Sequence, residues 1–415
     1  MTPSLPYLAR VFGRIGILSF GGPAAQIALM HRVLVEDEGW IEDRRFLDAL
    51  GFCMMLPGPE AMQLATWCGW RLRGVPGGLI AGGLFVLPGA LVVGALALLY
   101  AAFGTAPQAV ALMLGVKAAV IAIVAQALIR LAGKALTGRP QRLAAVLAFA
   151  AIFVLNLPFP LIVLAAGAWG WLGTRASETP ATPWPAGATS LRRIAAWITL
   201  WLAPLAVLAG LGQELLLALG LFFAKLAVVT FGGAYAVLAY MSQEVVSARH
   251  WLDAAQMVDA LGLAETTPGP LILVTQFVGM LTGYSAGGWG MALVAGLVTL
   301  WMTFVPCFLW IFAGAPYLDA VTSRARPAAA LAMISAAVVG VILNLALWFS
   351  LHVLFVQVQT VSLGPFALPL PVLHSLSPTA LALAVLAFGL VFGARRGPLL
   401  VVPVMGFAGW LGGLI

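Results

Sequence analysis

The chain has 415 residues, of which 62% are hydrophobic and 8% charged, and it carries a formal net charge of +7. An ordinary soluble domain is about 25% charged, so a water-soluble core cannot absorb this much apolar surface. Apolar runs near the ~20 residues that cross a bilayer as a helix recur from one end to the other. Helices are expected because hydrocarbon offers no partner to an unpaired backbone group. Unbroken stretches such as Leu79 to Ala101 lack the alternation of a transmembrane barrel.

In chain order the predicted spans are Leu8 to Met30, Phe46 to Trp70, Pro76 to Ala101, Gln108 to Leu131, Leu143 to Leu157 and Pro158 to Gly173. The first is read as a retained span, since Arg10 and Arg14 interrupt its apolar run and no cleavable leader pattern precedes it. Thr174 to Arg193, with Pro180, Pro183, Pro185 and Arg175, has linker composition. Then follow Ala195 to Gly212, Leu215 to Met241, Ala255 to Thr282, Ala286 to Ala313, Ala328 to Leu351, Pro378 to Gly393 and Pro398 to Leu414. The expected fold is an all-α integral membrane protein of about 13 spans. Its expected parts are a first repeat (1–173), a polar linker (174–193), a connecting span (194–214) and a second repeat (215–415).

The repeat is visible residue by residue. Residues 14–59 align with 225–270 without a gap at a shift of 211, the difference between Phe231 and Phe20. Arg14 falls on Lys225, Ser19-Phe20-Gly21-Gly22 on Thr230-Phe231-Gly232-Gly233, Trp40 on Trp251, Asp48 on Asp259 and Pro57-Gly58-Pro59 on Pro268-Gly269-Pro270. Further on, Pro88 falls on Pro306 and Lys117 on Ser335 at a shift of 218, seven residues more. Basic residues cluster in loops around Arg71 and Arg73, Arg130 to Arg142, Arg324 and Arg326, and Arg395 and Arg396. Under the positive-inside rule these loops are cytoplasmic, and the acidic loop Glu36 to Asp48 then lies outside while its copy near Arg249 lies inside. The repeats are expected to be inverted, the arrangement of secondary transporters whose sites lie at broken helices near the midplane.

Candidate site residues follow from this. The breaks Gly21-Gly22, Pro57-Gly58-Pro59, Gly232-Gly233 and Pro268-Gly269-Pro270 interrupt otherwise apolar spans in symmetric pairs. Close packing alone would also employ glycine. Helices restarting at such breaks direct N–H groups and a partial positive charge into a cavity that suits an anion. Arg14, Lys225 and Lys117 add full charges, with interfacial snorkelling as the plainer reading for the first two. Lys117 sits no nearer than roughly 13 Å to either end of its predicted span at about 1.5 Å per residue, and Glu60 is the carboxylate expected to hold it when substrate is absent. Glu60 and Glu265 are also candidate proton carriers. Asp48 and Asp259 are read as helix-start or loop residues near the surface, and Trp40 and Trp251 as interface anchors. An intramembrane enzyme built on these carboxylates lacks any supporting nucleophile, zinc or redox motif. Cys53, Cys68 and Cys307 make no C-x-x-C and the four histidines are scattered, so no disulfide, metal or cofactor is expected.

Phe20-Gly21-Gly22-Pro23, Gln26, Trp40, Leu56-Pro57-Gly58-Pro59-Glu60-Ala61 with Gln63-Leu64-Ala65-Thr66, and Gly82-Gly83-Leu84-Phe85-Val86-Leu87-Pro88-Gly89 resemble the first domain of long, two-domain chromate ion transporters. The resemblance implies a multi-pass inner-membrane protein that exports chromate, confers chromate resistance and interacts with sulfate as well. It carries over Gly21, Gly22, Pro57, Gly58, Pro59 and Glu60, and in the second copy Gly232, Gly233, Pro268, Gly269 and Pro270. Ala234 replaces Pro23, Leu271 replaces Glu60 and Ser335 replaces Lys117 in that copy. Expected partners are a small oxyanion and the bilayer, with a homodimer left open and no nucleic acid. There is no G-x-x-x-x-G-K-[ST] loop, so the driving force is expected to be the membrane potential or a proton gradient. Chromate and sulfate are alike in charge and shape, and a channel remains the rival to a carrier.

Overall fold

The computed structural model describes residues 3–174, 191–231, 234–318, 324–363 and 366–413. Most of the linker (175–190) and the pair Gly232 and Gly233 lie outside the described residues.

The helices are α1 (Leu5–Leu18), α2 (Gly22–His31), α3 (Asp43–Met55), α4 (Glu60–Phe103), α5 (Pro107–Ala135), α6 (Arg139–Phe153) and α7 (Phe159–Gly173). They continue with α8 (Leu191–Gly210), α9 (Glu214–Val229), α10 (Ala234–Ser242), α11 (Ala254–Thr266), α12 (Val274–Gly314), α13 (Ala325–Leu354), α14 (Pro378–Phe388) and α15 (Pro398–Gly412). Five described stretches are long and apolar enough to cross a membrane: 60–103, 107–135, 191–210, 271–317 and 325–354. The spans drawn as Leu8 to Met30 and Phe46 to Trp70 are each two helices, split at the Ser19–Gly21 and Leu56–Pro59 breaks. The linker ends sooner than its composition suggests, since Arg192 and Arg193 already belong to α8.

A two-stranded antiparallel hairpin, β1 (Val358–Leu363) and β2 (Phe366–Pro371), qualifies the all-α expectation. It joins α13 to α14 where no element was predicted. Its register pairs Val358 with Pro371 and Leu363 with Phe366, and Pro371 sits at the end of its strand, where a missing N–H costs the ladder little.

Local structure recurs at the sequence shift. A π-helical turn at Arg32–Asp37 has its copy at Gln243–Ala248, and α3 has its copy in α11, all displaced by 211. The longest helices each fold back at a single glycine. Arg73 and Gly74 leave helical geometry with Gly74 at φ 63° and ψ −156°, and Gly287 and Gly288 repeat this with Gly288 at φ 68° and ψ −156°. A side chain is strained in that region, which is essentially reserved for glycine. The returning arm of α4 packs tightly on the first, and a Cβ on either Gly69 or Gly77 would run into the other residue's carbonyl.

The chain forms two compact units, each drawing on both sequence halves: residues 1–98, 174–234 and 267–328, and residues 99–173, 235–266 and 329–415. In the first, α12 packs on α9 and α8, and Trp201 donates to the carbonyl of Met302 at 3.1 Å. In the second, α5 is the central helix, covered by α11, α14 and α15. Its core joins Val116, Ala119, Ala122 and Ile123 to Leu383, Val401 and Met405. Small residues bring α5 and α15 into backbone proximity, with Gly115 facing the Met405 carbonyl and Gly409.

Candidate functional site

Within the first unit the helix breaks meet in a reciprocal crossing. The Gly269 N–H donates to the carbonyl of Ser19 at 2.8 Å, and the Gly58 N–H donates to the carbonyl of Thr230 at 3.0 Å. Ser19 and Thr230 are repeat equivalents, as are Gly58 and Gly269, so each copy's proline-flanked break caps the other copy's interrupted helix. The chemistry follows from the residue types. Proline on both sides removes donors and forbids helix, and the glycine between them takes a left-handed conformation, φ 104° at Gly58 and 85° at Gly269. The ends of α1 and α9 carry orphan carbonyls that need donors. The Ser19 hydroxyl turns back on the Ile15 carbonyl at 2.6 Å and the Thr230 hydroxyl on that of Leu226 at 2.5 Å.

Two buried glutamines reinforce the crossing in one copy only. Gln26 Nε2 donates to the Gly269 carbonyl at 2.6 Å and to that of Ser19 at 3.3 Å, and Gln63 Nε2 donates to that of Pro57 at 2.6 Å. Their Oε1 atoms are buried with no hydrogen-bond partner among the described residues. Valine occupies both equivalent positions, Val237 and Val274. These glutamines fell inside the recognised motif, yet their role was missed, because spacing gives no hint of a donor reaching a break 243 residues away.

Gly21 and Gly22 open α2 at φ 86° and 77°, as the break reading requires. Glu60 is the first residue of α4. Its carboxylate therefore stands at the positive end of the helix expected to receive an anion, where it satisfies the dipole itself. The second copy carries Leu271 at this position, opening a short 3₁₀ turn (Leu271–Leu273) ahead of α12, and leaves that end without a carboxylate. Arg14 and Lys225 occupy matching exposed positions on α1 and α9. Arg14 lines an open groove of about 550 Å³ along α1 with Arg10, Gly13 and Ile17.

Lys117 belongs to the second unit, and its counter-ion is not the expected Glu60. Lys117 Nζ lies 2.9 Å from Asp259 Oδ1, with the two side chains 17% and 9% exposed. The Tyr100 hydroxyl, from the end of α4, donates to Asp259 Oδ2 at 2.7 Å. Asp259, read from sequence as a surface helix-start residue, is the sixth residue of α11 and is buried. The reason is local: α11 is buried from Met257 to Glu265 against α5, and Asp253 takes the capping work through reciprocal bonds with Gln256 at 2.7 and 3.0 Å. Its copy Asp48 on α3 is exposed. Removing either partner of such a pair strands a buried charge, at a cost of about 3–5 kcal/mol. Glu265 is buried on the same helix, hydrogen-bonded to Tyr235. Trp40 packs edge-on against Tyr7, and Trp251 lies under the Arg249 guanidinium at 4.8 Å.

Apolar crossing helices, proline-glycine breaks that exchange backbone bonds and a buried lysine-aspartate pair define a multi-pass membrane protein of the transporter class. The chain belongs to the Chromate transporter family, whose model matches residues 7–171 and again 217–410. It is 35% identical to the chromate transport protein of Pseudomonas aeruginosa over 355 residues, covering 82% of this chain and 79% of that protein. It is 33% identical to the chromate transport protein of Cupriavidus metallidurans over 326 residues, covering 76% and 75%. A probable chromate transport protein of Synechococcus elongatus is 32% identical over 316 residues, 76% of each chain. No solved structure matches the chain.

Proposed function

We propose that this protein is a secondary transporter that exports chromate across the inner membrane. The observation that carries this is the reciprocal crossing of broken helices in the first unit. Backbone is interrupted there at positions where a bilayer tolerates it only beside protein or a wet cavity, and symmetric breaks of this kind mark transporter sites. The names borne by the relatives supply the substrate, a tetrahedral dianion. Glycine at the breaks lets backbone approach it, the helix start beyond Pro268-Gly269-Pro270 contributes positive potential, and Lys117 contributes a full charge at its own place on the path. Inverted repeats make the two copies exchange roles between inward- and outward-facing states.

The potential alone is a sufficient drive. A dianion leaving a cell with a negative interior gains about 4.6 kcal/mol per 100 mV, twice the value for one charge, and this supports roughly a thousandfold gradient. Everted vesicles loaded by an imposed potential test the reading. Saturable, potential-dependent accumulation of labelled chromate, with sulfate as competitor, is the expected result. Ohmic currents without saturation point to a channel, and no chromate flux overturns the proposal.

A further inference from the structure

The second unit holds a closed charge cluster that a simple anion carrier does not need. Lys117 Nζ is 2.9 Å from Asp259 Oδ1, and Tyr100 donates to the other carboxylate oxygen at 2.7 Å. The cluster is neutral as it stands, one ammonium against one carboxylate. Its repeat-related counterpart does not exist as such: Ser335 of the second copy stands at the position of Lys117, and Asp48 of the first copy, the equivalent of Asp259, is exposed. The fold therefore does not require the pair. Replacing a buried ion pair with apolar side chains is often neutral or stabilising, so its presence calls for a functional account.

An oxyanion that engages Lys117 meets a carboxylate already on the same ammonium. With Asp259 ionised, the site would hold two negative charges from the substrate and one from Asp259 against a single positive charge, giving net −2 in a poorly solvated setting. Like charges in such a site shift one group to its protonated form. The other titratable groups do not relieve the excess. α5 supplies only Lys117 there, Arg130 being exposed farther along the helix; α4 supplies Tyr100; Asp253, just before α11, and Glu265 on it are both acidic; and α15 carries no titratable side chain.

We propose that Asp259 takes up a proton when a dianion engages Lys117, so that one proton travels with each oxyanion and the charge moved falls from two to one. This rests on the reading of Lys117 as an oxyanion ligand. The proton comes from the water on the side from which the substrate enters and settles on the carboxylate oxygen that Lys117 vacates, Oδ1. Lys117 keeps its own three protons throughout, and release of the oxyanion restores the ion pair and returns the proton to water. Tyr100 is a positioning residue here: its hydroxyl holds Oδ2 and favours the ionised form.

The test uses the full chain in proteoliposomes at alkaline pH, where chromate itself is a dianion, with flux and current recorded together. The expected wild-type result is one charge per chromate, with apparent affinity weakening by about tenfold for each unit of rising pH, the slope of a one-proton linkage. Asp259→Asn is expected to move two charges per chromate with an affinity independent of pH. Tyr100→Phe, which leaves the ion pair in place and guards against a folding failure of Asp259→Asn, is expected to displace the affinity profile to higher pH. Two charges per chromate and a flat profile in the wild type overturn this proposal while leaving chromate transport intact. Wild-type chromate affinity in the neutral double variant Lys117→Gln with Asp259→Asn removes Lys117 from the substrate path and takes the proposal with it.

Discussion

Ser19 and Gly269 lie 250 positions apart in the chain and are joined by a backbone hydrogen bond of 2.8 Å, a bond matched by the one between their repeat equivalents Thr230 and Gly58. Each interrupted helix would otherwise end in carbonyls with no donor in hydrocarbon, where a lost partner costs several kcal/mol. The two copies satisfy each other, so neither half of the first unit is complete alone. A damaged break in one copy should therefore disturb the helix end of the other.

Gly269→Ala makes that dependence measurable. Gly269 sits at φ 85°, and a Cβ there would come within 3.1 Å of Leu273 Cδ1 and 3.2 Å of the Gly89 backbone. Left-handed strain costs of order 1–3 kcal/mol, and the backbone shift it forces lengthens the bond to Ser19. The expected outcome is a thermal midpoint lowered in detergent and chromate flux reduced at least tenfold. Gly83→Ala, whose added methyl meets nothing within 4 Å, serves as the control and should change neither measurement.

Gln26→Leu tests the asymmetric reinforcement. The variant loses donors to both the Gly269 and Ser19 carbonyls, and each buried hydrogen bond removed this way costs about 1–3 kcal/mol. Gln26→Glu keeps the shape but removes the N–H donors and adds charge, so it should be worse. If Gln26→Leu retains parental stability and flux, the crossing is held by backbone bonds alone.

How much of this was legible beforehand depends on the kind of signal. The breaks at 19–21 and 56–59 could be placed from Gly and Pro alone, because both residues act through local backbone chemistry. The reversal between the spans drawn to Trp70 and from Pro76 was legible from the loop at Arg71 and Arg73, but not that Arg73 and Gly74 alone leave helical geometry there. Lys117 was singled out because a charge deep in an apolar run has a visible cost. Its partner was not identified, for Asp259 shares its sequence context with Asp48, and only the packing of α11 on α5 separates a buried aspartate from an exposed one. The glutamines of the crossing were quoted as motif residues without a role, as donors to distant backbone leave no periodic trace.

His31 predicts a pH dependence outside the apolar spans. Its Nε2 lies 2.6 Å from Asp43 Oδ1 and its Nδ1 3.2 Å from Glu36 Oε1, so both ring nitrogens face carboxylates and the imidazolium is favoured. The hydrogen bond that His31 donates to Asp43 leads in raising the His31 pKa above its usual value, with the charges of Asp43 and Glu36 adding to it against a smaller opposing effect of burial. A group whose folded pKa is raised contributes stability that is complete below the unfolded value and disappears as pH climbs through the folded value. The tie between the end of α2 and the start of α3 should loosen on alkalinisation through this window. The carboxylates are well exposed, so salt should weaken the effect. An imidazole NMR titration checks it: the midpoint should lie above that of an exposed histidine and fall toward the ordinary value in Asp43→Asn.

The proposed inversion of the two repeats makes a prediction about sidedness. On the positive-inside rule, the acidic segment around Glu38 is expected outside and its copy around Arg249 inside. Both follow π-helical turns at equivalent positions, so labelling compares like with like. The three native cysteines, Cys53, Cys68 and Cys307, are buried, and an impermeant thiol reagent should find little background in the parent protein. Glu38→Cys should react with reagent added to intact cells. Arg249→Cys should react only after permeabilisation, or in everted vesicles. Labelling of both from the same side would make the repeats parallel, and the two copies would then no longer exchange roles across the membrane. The reciprocal bonds between Ser19 and Gly269 and between Thr230 and Gly58 would still join the copies, so the measurement isolates orientation from the crossing itself.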